Sequence, residues 1–219
     1  MLEEEEDRMT NLVLYAPPAA GKGTLCEFLK KSYDCEIISI GQVLRNARSM
    51  DTEIGRIIIE TQDKGVLTPD NIVAEALKKE LEKIKDKMIV IEGYPRNLDQ
   101  AKLLDAILDN YIVINLDLKR EDAMKRTLGR LTCSGCGKIY STYNEAMKPK
   151  KDGICDICGQ ELKGRSDDNE KSFHVRFDVY EENAPEILNF YKDKNILYVV
   201  DSSRSPEHTC NQVLEILGE

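Results

Sequence analysis

Five short runs in this chain are apolar almost from end to end: NLVLYA (11–16), EIISI (36–40), MIVIEGY (88–94), YIVINLD (111–117) and ILYVVD (196–201). A strand with one wet face alternates apolar and polar residues. An unbroken apolar run belongs to a strand covered on both faces, as in a parallel sheet. Parallel neighbours cannot be joined by a tight turn and need a crossover, usually a helix. Helical patterns stand in those places. GTLCEFLKKSY follows the first strand, and EIGRIIIETQDKG is expected to end on Gly65 as its C-cap. TPDNIVAEALKKELEKIKDK is expected to start with Thr68 as N-cap and Pro69 at the first helical position. NLDQAKLLDAILDN and REDAMKRTLGRL follow, and SPEHTCNQVLEILG closes the chain with Ser205 as cap and Pro206 in the first turn. This alternation predicts an α/β fold with a doubly wound parallel sheet.

Two stretches break the alternation. About two helices, not one, lie between the second and third strands (41–87), and residues 131–167 turn rich in Gly, Cys, Lys and Asp. Each is expected to stand off the sheet as a lobe. With 219 residues the chain can build one core carrying inserted lobes.

Charge narrows the function classes. The net charge of −9 argues against a general affinity for nucleic acid, though not against a local basic cleft. No stretch approaches the roughly 18 apolar residues of a membrane helix. The start, MLEEEEDRMT, lacks the basic and apolar blocks of a secretory signal, and residues 1–9 read as an acidic tail. Seven cysteines in such a chain suggest a reducing, cytoplasmic setting and make disulfides a poor explanation for them.

The cysteines explain themselves by spacing. Cys133 and Cys136 form one Cys-x-x-Cys unit, Cys155 and Cys158 another, with 18 residues between the units. This is the pattern of a four-thiolate structural zinc site. The same ligand set also holds iron, and the spacing alone favours zinc. A closed site of this kind staples a lobe too small for its own core and does no catalysis. Cys26, Cys35 and Cys210 fall outside it and read as buried small apolar residues. A zinc ribbon can also bind nucleic acid, but Lys138, Lys148, Lys150 and Lys151 are the only basic residues between Cys133 and Cys158.

Directly after the first strand comes APPAAGKGTL. A strand, a glycine-bearing turn and a helix aim backbone N–H groups at an anion. Gly21 and Gly23 let the backbone approach phosphates, Lys22 supplies a point charge, and the Thr24 hydroxyl can help hold a metal ion. Ala16 and Ala19 stand where glycines are often found and are expected to bring some strain or loss of affinity. Taken alone, the stretch is also compatible with a tight turn in any α/β protein.

Arginines supply the context. Arg45 lies in SIGQVLR and Arg96 in IEGYPRNLDQ. Arg126 and Arg130 lie four apart just before the cysteine segment, and Arg165 and Arg176 just after it. Phosphoryl transfer needs charge neutralised from several sides and little covalent help from the protein. Together with the phosphate loop and the cysteine pairs, these motifs make residues 11–217 resemble a nucleoside monophosphate kinase, specifically the adenylate kinase family with a long, zinc-bearing lid.

The resemblance implies a P-loop three-layer fold around a five-stranded parallel sheet, with an inserted helical lobe for the nucleoside monophosphate and a small zinc-ribbon-like lid. It implies a core of 10–40, 72–130 and 168–219, an acceptor lobe of 41–71 and a lid of 131–167. The implied reaction is ATP plus AMP to two ADP, with Mg2+ accompanying ATP, in a monomer with no nucleic-acid or membrane partner. Gly21, Lys22, Gly23 and Thr24 would cradle the donor phosphates, with Arg126 on the donor adenine and Arg130 on phosphates. Ile40, Arg45, Gly93, Arg96, Gln100, Arg165 and Arg176 would meet AMP, Gln100 reading its base. Lys22, Arg96, Arg130, Arg165 and Arg176 would act on the transferring group, with Asp167 and Asp168 beside them. Glu92 matches an aspartate linked to the magnesium shell. The chain departs from the family at Ala16, Ala19, Glu92 and Tyr94. It also departs at Gln42, in place of an aspartate, and at Ile40, in place of a threonine. Ile40 keeps a UMP or CMP acceptor open, and the altered loop keeps open a nucleotide-binding regulator without turnover.

Overall fold

The computed structural model describes residues 10–48, 52–63, 68–165 and 168–219, giving only the backbone of 61–63. The expected tail over 1–9, the C-cap at Gly65 and Asp167 lie outside the described residues. In chain order the elements are β1 (Asn11–Tyr15), α1 (Lys22–Ser32), β2 (Cys35–Ser39), α2 (Ile40–Arg48), α3 (Glu53–Asp63), α4 (Asp70–Leu81), β3 (Met88–Glu92), α5 (Leu98–Asp105), β4 (Tyr111–Asp117) and α6 (Arg120–Leu128). They continue with β5 (Arg130–Cys133), β6 (Ile139–Ser141), β7 (Leu162–Lys163), α7 (Glu170–Asp193), β8 (Leu197–Asp201) and α8 (Pro206–Leu217).

Five strands form one sheet in the order β2-β3-β1-β4-β8, every pair parallel. Successive residues of a strand face opposite ways, and here both faces are covered. Leu12 and Leu14 of β1 join Ile114 and Leu116 of β4 in a cluster with Leu25 and Leu29 of α1 and Val213 of α8. Val13 and Tyr15 face the other way, onto Leu77, Leu104 and Ile187 of α4, α5 and α7. Both-sided burial is what the unbroken apolar runs demand, and the edge strand β8 departs from it, since Tyr198 and Val199 are exposed there.

The expected helices are present, with differences. Two helices the sequence pattern left unassigned appear. The first is α2, whose first residue Ile40 reads as the end of β2 in the sequence. The second is α7, where Pro185 sits inside the helix. A proline there removes one N–H and leaves a carbonyl without its donor. Pro185 and Glu181, four residues earlier, are both exposed, so water can serve that carbonyl. The cap expected at Thr68 is displaced: α4 starts at Asp70 with extended Pro69 as N-cap. The residue before a proline is kept out of the helical region, which leaves Thr68 outside. At the chain's end Ser205 does cap α8, its Oγ accepting from the His208 N–H.

The 131–167 segment builds a separate antiparallel sheet, β6-β5-β7. Its apolar cluster consists of Cys133, Tyr140, Cys155 and Leu162, with Leu131 packed against it. Among the described residues no helix is long and apolar enough to cross a membrane.

Candidate active site

In an open parallel sheet ligands bind beyond the carboxyl ends of the strands. A cavity of about 680 Å³ lies there. Gly21, Lys22, Gly23 and Thr24 line it from the β1–α1 turn, and Glu92, Gly93 and Arg96 from the end of β3. Arg45, Arg126, Arg130, Arg165 and Arg176 enter from α2, α6, β5, the segment after β7, and α7. Ile40 and Gln100 do not line it. Ile40 is 2 % exposed and packs with Tyr15 and Tyr94, and Gln100 is 4 % exposed.

The β1–α1 turn ends on Gly21, the N-cap of α1, at φ 97. A side chain there would meet no neighbour within 4 Å, so the positive φ and not space calls for glycine. Ala19 also has positive φ, at 58, whereas Ala16 does not. Lys22 is half-buried and donates to the carbonyls of Ala16 at 3.1 Å and Pro17 at 3.0 Å. Loss of water pushes its pKa down to about 8, against the opposing pull of Glu92.

Every other cation is also held by an acceptor. Arg96 Nε donates to the Gly93 carbonyl at 3.1 Å, just after a cis Tyr94–Pro95 bond. Burial lowers its pKa and Glu92 opposes the shift. Arg45 donates through Nε and Nη2 to Gln42 Oε1, at 3.2 and 2.8 Å. Arg126 Nη2 reaches the carbonyls of Ser203 and Arg204, at 3.0 and 3.2 Å. Arg165 Nε donates to Thr132 Oγ1 at 3.3 Å.

Arg130 and Arg176 share one carboxylate. Arg130 grips Asp168 with two bonds of 2.7 and 2.6 Å, and Arg176 adds one of 3.3 Å. The Asp168 side chain is 3 % exposed. Burial alone would raise its pKa, but the hydrogen bonds and charge of Arg130, seconded by Arg176, hold it below the usual carboxylate range.

Behind the β3 end lies a closed polar ring. Gln100 Oε1 accepts the Arg96 N–H at 2.8 Å, and Gln100 Nε2 donates to Asp70 Oδ1 at 2.7 Å. Asn97 Nδ2 donates to Asp70 Oδ2 at 2.9 Å and caps α5 by accepting the Gln100 N–H at 2.8 Å.

The four paired cysteines meet in the small sheet, their sulfurs within 4.8 Å of one another. Zn–S bonds of about 2.3 Å in a tetrahedron put sulfurs about 3.8 Å apart, so the cluster fits a four-thiolate ion. The two turns match. The Cys133 N–H donates to the Lys138 carbonyl and the Gly137 N–H to the Cys133 carbonyl, as Cys155 and Gly159 do with Gln160 and Cys155. The Cys136 N–H, then that of Gly135, holds the Cys133 thiol below its ordinary pKa, as suits a thiolate ligand. The sheet also touches the phosphate loop. Ile139 Cδ1 would be 3.8 Å from a Cβ on Gly23, and Lys138 pairs with Glu27 of α1 at 2.7 Å.

Arg204 lines the cavity from the β8–α8 turn and Thr209 from the first turn of α8, and neither was among the residues singled out by sequence. The rule that ligands sit beyond strand ends points at DSSRSP as directly as at IEGYPR. No motif drew attention to it.

Two outcomes follow from this geometry. An alanine in the left-handed region costs about 1–2 kcal/mol. Ala19→Gly should therefore raise unfolding free energy by about 1 kcal/mol in urea titration, and an unchanged or lower midpoint would contradict the strain. Asp168→Asn should destabilise by about 2 kcal/mol at neutral pH, as loss of charged hydrogen bonds does. The folded-state pKa of Asp168 is depressed, so its contribution is full above the unfolded value of about 3.9 and fades as pH falls through the folded value. The gap between variant and wild type should narrow once pH falls below about 4, and a gap constant with pH would remove Asp168 from the account.

A family model described as adenylate kinase matches residues 14–196. The adenylate kinase of Methanosarcina mazei is 39% identical over 215 residues, which cover 95% of this chain and 99% of that protein. The adenylate kinase of Archaeoglobus fulgidus is 37% identical over 213 residues, covering 94% and 97%. That of Caldicellulosiruptor bescii is 36% identical over 213 residues, covering 94% and 98%. With the parallel sheet, the phosphate-loop cavity and the four-cysteine sheet, these matches establish that the chain belongs to the adenylate kinase family, a group of nucleoside monophosphate phosphotransferases.

Proposed function

We propose that this protein moves the terminal phosphoryl group of ATP to AMP, giving two ADP. The observation that carries the reading is the cavity itself: Lys22 and six arginines of the expected set converge on it from separate elements, with Glu92 its one lining carboxylate among the described residues. Such a site neutralises a polyphosphate from several sides, which is what in-line phosphoryl transfer requires.

The backbone N–H groups at the start of α1 and the Lys22 ammonium bind the donor phosphates. Lys22 exchanges the carbonyls of Ala16 and Pro17 for phosphate oxygens. Arg126 faces the donor base, while Arg45 and Arg96 hold the acceptor phosphate. Arg130, Arg165 and Arg176 surround the group in flight. The acceptor phosphate is already a nucleophile at neutral pH, so no general base is assigned. The Thr24 hydroxyl and Glu92 would hold Mg2+ with its water shell, and the ion supplies charge neutralisation on the donor phosphates. Cys133, Cys136, Cys155 and Cys158 would hold a structural zinc ion.

In this reading residues 41–71 form the acceptor lobe and 131–167 the lid, on a core of 10–40, 72–130 and 168–219. The lid sits over the phosphate loop through Ile139 and excludes water, which disfavours hydrolysis of ATP. The protein works as a monomer in the cytoplasm, where its cysteines, all free in the structure, stay reduced. It needs no nucleic-acid or membrane partner.

The test is ADP formation from ATP·Mg with AMP, UMP, CMP, GMP or no acceptor. Turnover with AMP well above the rest is expected. Faster turnover with a pyrimidine acceptor would replace the substrate, and ATP binding without turnover would leave a regulator. For the lid, Cys155→Ser should lower bound zinc and melting temperature more than it lowers activity of the folded protein. Equal loss of activity in soluble, folded variant would give the cluster a direct part in catalysis.

A further inference from the structure

A primary amide that rotates by half a turn exchanges its oxygen and nitrogen at little cost, unless its neighbours object. At Gln100 they object at both ends. The Asp70 carboxylate only accepts and takes Nε2, while the main-chain N–H of Arg96 only donates and takes Oε1. Turned over, the amide would set its oxygen against a carboxylate and its NH2 against an N–H. Two hydrogen bonds would become two like contacts in a side chain 4 % exposed. Asp70 is itself fixed, because its second oxygen takes Asn97 Nδ2. Asn97 cannot turn either, since its Oδ1 caps α5. The amide direction is therefore dictated jointly by the Arg96 N–H and by Asp70, and Asp70 belongs to the first turn of α4, not to α5, which carries Gln100.

We propose that Asp70 is a specificity-determining positioning residue: by locking the Gln100 amide it makes the acceptor site take a 6-aminopurine and refuse a 6-oxopurine. This rests on the reading in which Gln100 meets the acceptor base. After its two fixed bonds the amide keeps one N–H and one lone pair, beside the main chain of Arg96, which lines the cavity. The edge of adenine offers an acceptor at N1 and a donor at N6. Hypoxanthine offers the reverse, a donor at N1 and an acceptor at O6. An amide held one way matches the first and meets the second with like against like, which leaves buried polar groups unpaired. An amide free to turn over matches either.

The experiment compares kcat/KM for AMP and IMP in the full-length wild type, Asp70→Asn, Asp70→Glu and Gln100→Ala, each first shown to be folded by thermal denaturation. An amide at position 70 leaves one like contact in either orientation of Gln100, its own NH2 against Asn97 Nδ2 or the Gln100 NH2 against the Arg96 N–H, so neither orientation is fixed. The AMP-over-IMP preference of that variant should fall about tenfold or more, through KM, with kcat for AMP within about twofold of wild type. Asp70→Glu keeps an acceptor-only group and should retain most of the preference. Should Asp70→Asn fail to fold, Asp70→Ala removes the acceptor and leaves only the Arg96 N–H to orient the amide, so a smaller fall in the preference is expected and an unchanged preference overturns the proposal. If Gln100→Ala leaves the preference intact, the base is read elsewhere and the proposal falls with that reading. If Gln100→Ala abolishes the preference while folded Asp70→Asn keeps it within about twofold, Gln100 reads the base without the lock. An equal loss in Asp70→Glu and Asp70→Asn would assign the effect to the start of α4 and overturn the proposal.

Discussion

The shared carboxylate of Asp168 is the interaction on which the site depends. A chain of net charge −9 nevertheless gathers eight cationic side chains around one cavity, Arg204 included. Guanidinium groups brought together in a partly dry cleft repel one another, and something must hold them. Asp168 does so for Arg130 and Arg176, and it joins the first residue of β5 to α7, so the hinge of the small sheet is tied to the core. Arg204 pairs with Asp201 at 3.5 Å, and the remaining cations are oriented by neutral acceptors. Lys22 uses two loop carbonyls, Arg96 and Arg126 use carbonyls, Arg45 an amide oxygen and Arg165 a hydroxyl. A neutral acceptor fixes direction without cancelling charge. Much of the positive potential is thus left for phosphates, full counter-charges being used at Asp168 and, for Arg204, at Asp201.

The small sheet follows a different physics. Its apolar cluster has four buried members, two of them cysteines of the proposed ligand set, so hydrophobic burial cannot specify it alone. The matched hydrogen bonding of the two Cys-x-x-Cys turns supplies the specification, since it aims four sulfurs at one point. Its attachment over the phosphate loop is weak by comparison. The Lys138–Glu27 pair leaves the two side chains 35% and 44% exposed, and exposed pairs contribute less than about 1 kcal/mol. The small sheet is thus specified within itself and lightly held at its tip.

The sheet was legible because burial on both faces writes itself as unbroken apolar runs, and the cysteine site because thiolate spacing has few other meanings. Helix α7 was not legible, although Phe173, Phe177, Ala184, Ile187 and Tyr191 recur at helical spacing. Pro185 reads as a breaker, and sequence does not say that it will fall on an exposed face. The cavity arginines were readable by their resemblance to a family. The residues that hold Gln100 were not, because Asp70 and Asn97 lie far apart in sequence and meet only in the folded chain. The same holds for Ile40. Its replacement of a threonine raised a question about the acceptor base, yet the side chain is buried against Tyr15 and Tyr94 and does not line the cavity.

The two loop alanines, equivalent on paper, differ once the backbone is known. Ala16 has no positive φ, so a glycine there would add only freedom to the unfolded chain. Ala19 sits at φ 58 and carries a strain of order 1–2 kcal/mol. Pro17 and Pro18 precede it. Each proline in a compatible conformation removes unfolded-state freedom worth about 0.4–1 kcal/mol, so together they offset most of that strain. The result is a phosphate loop with fewer glycines and fewer alternatives. Its N–H groups are held in place before any anion arrives, and binding then loses less conformational entropy than it would in a loop of glycines.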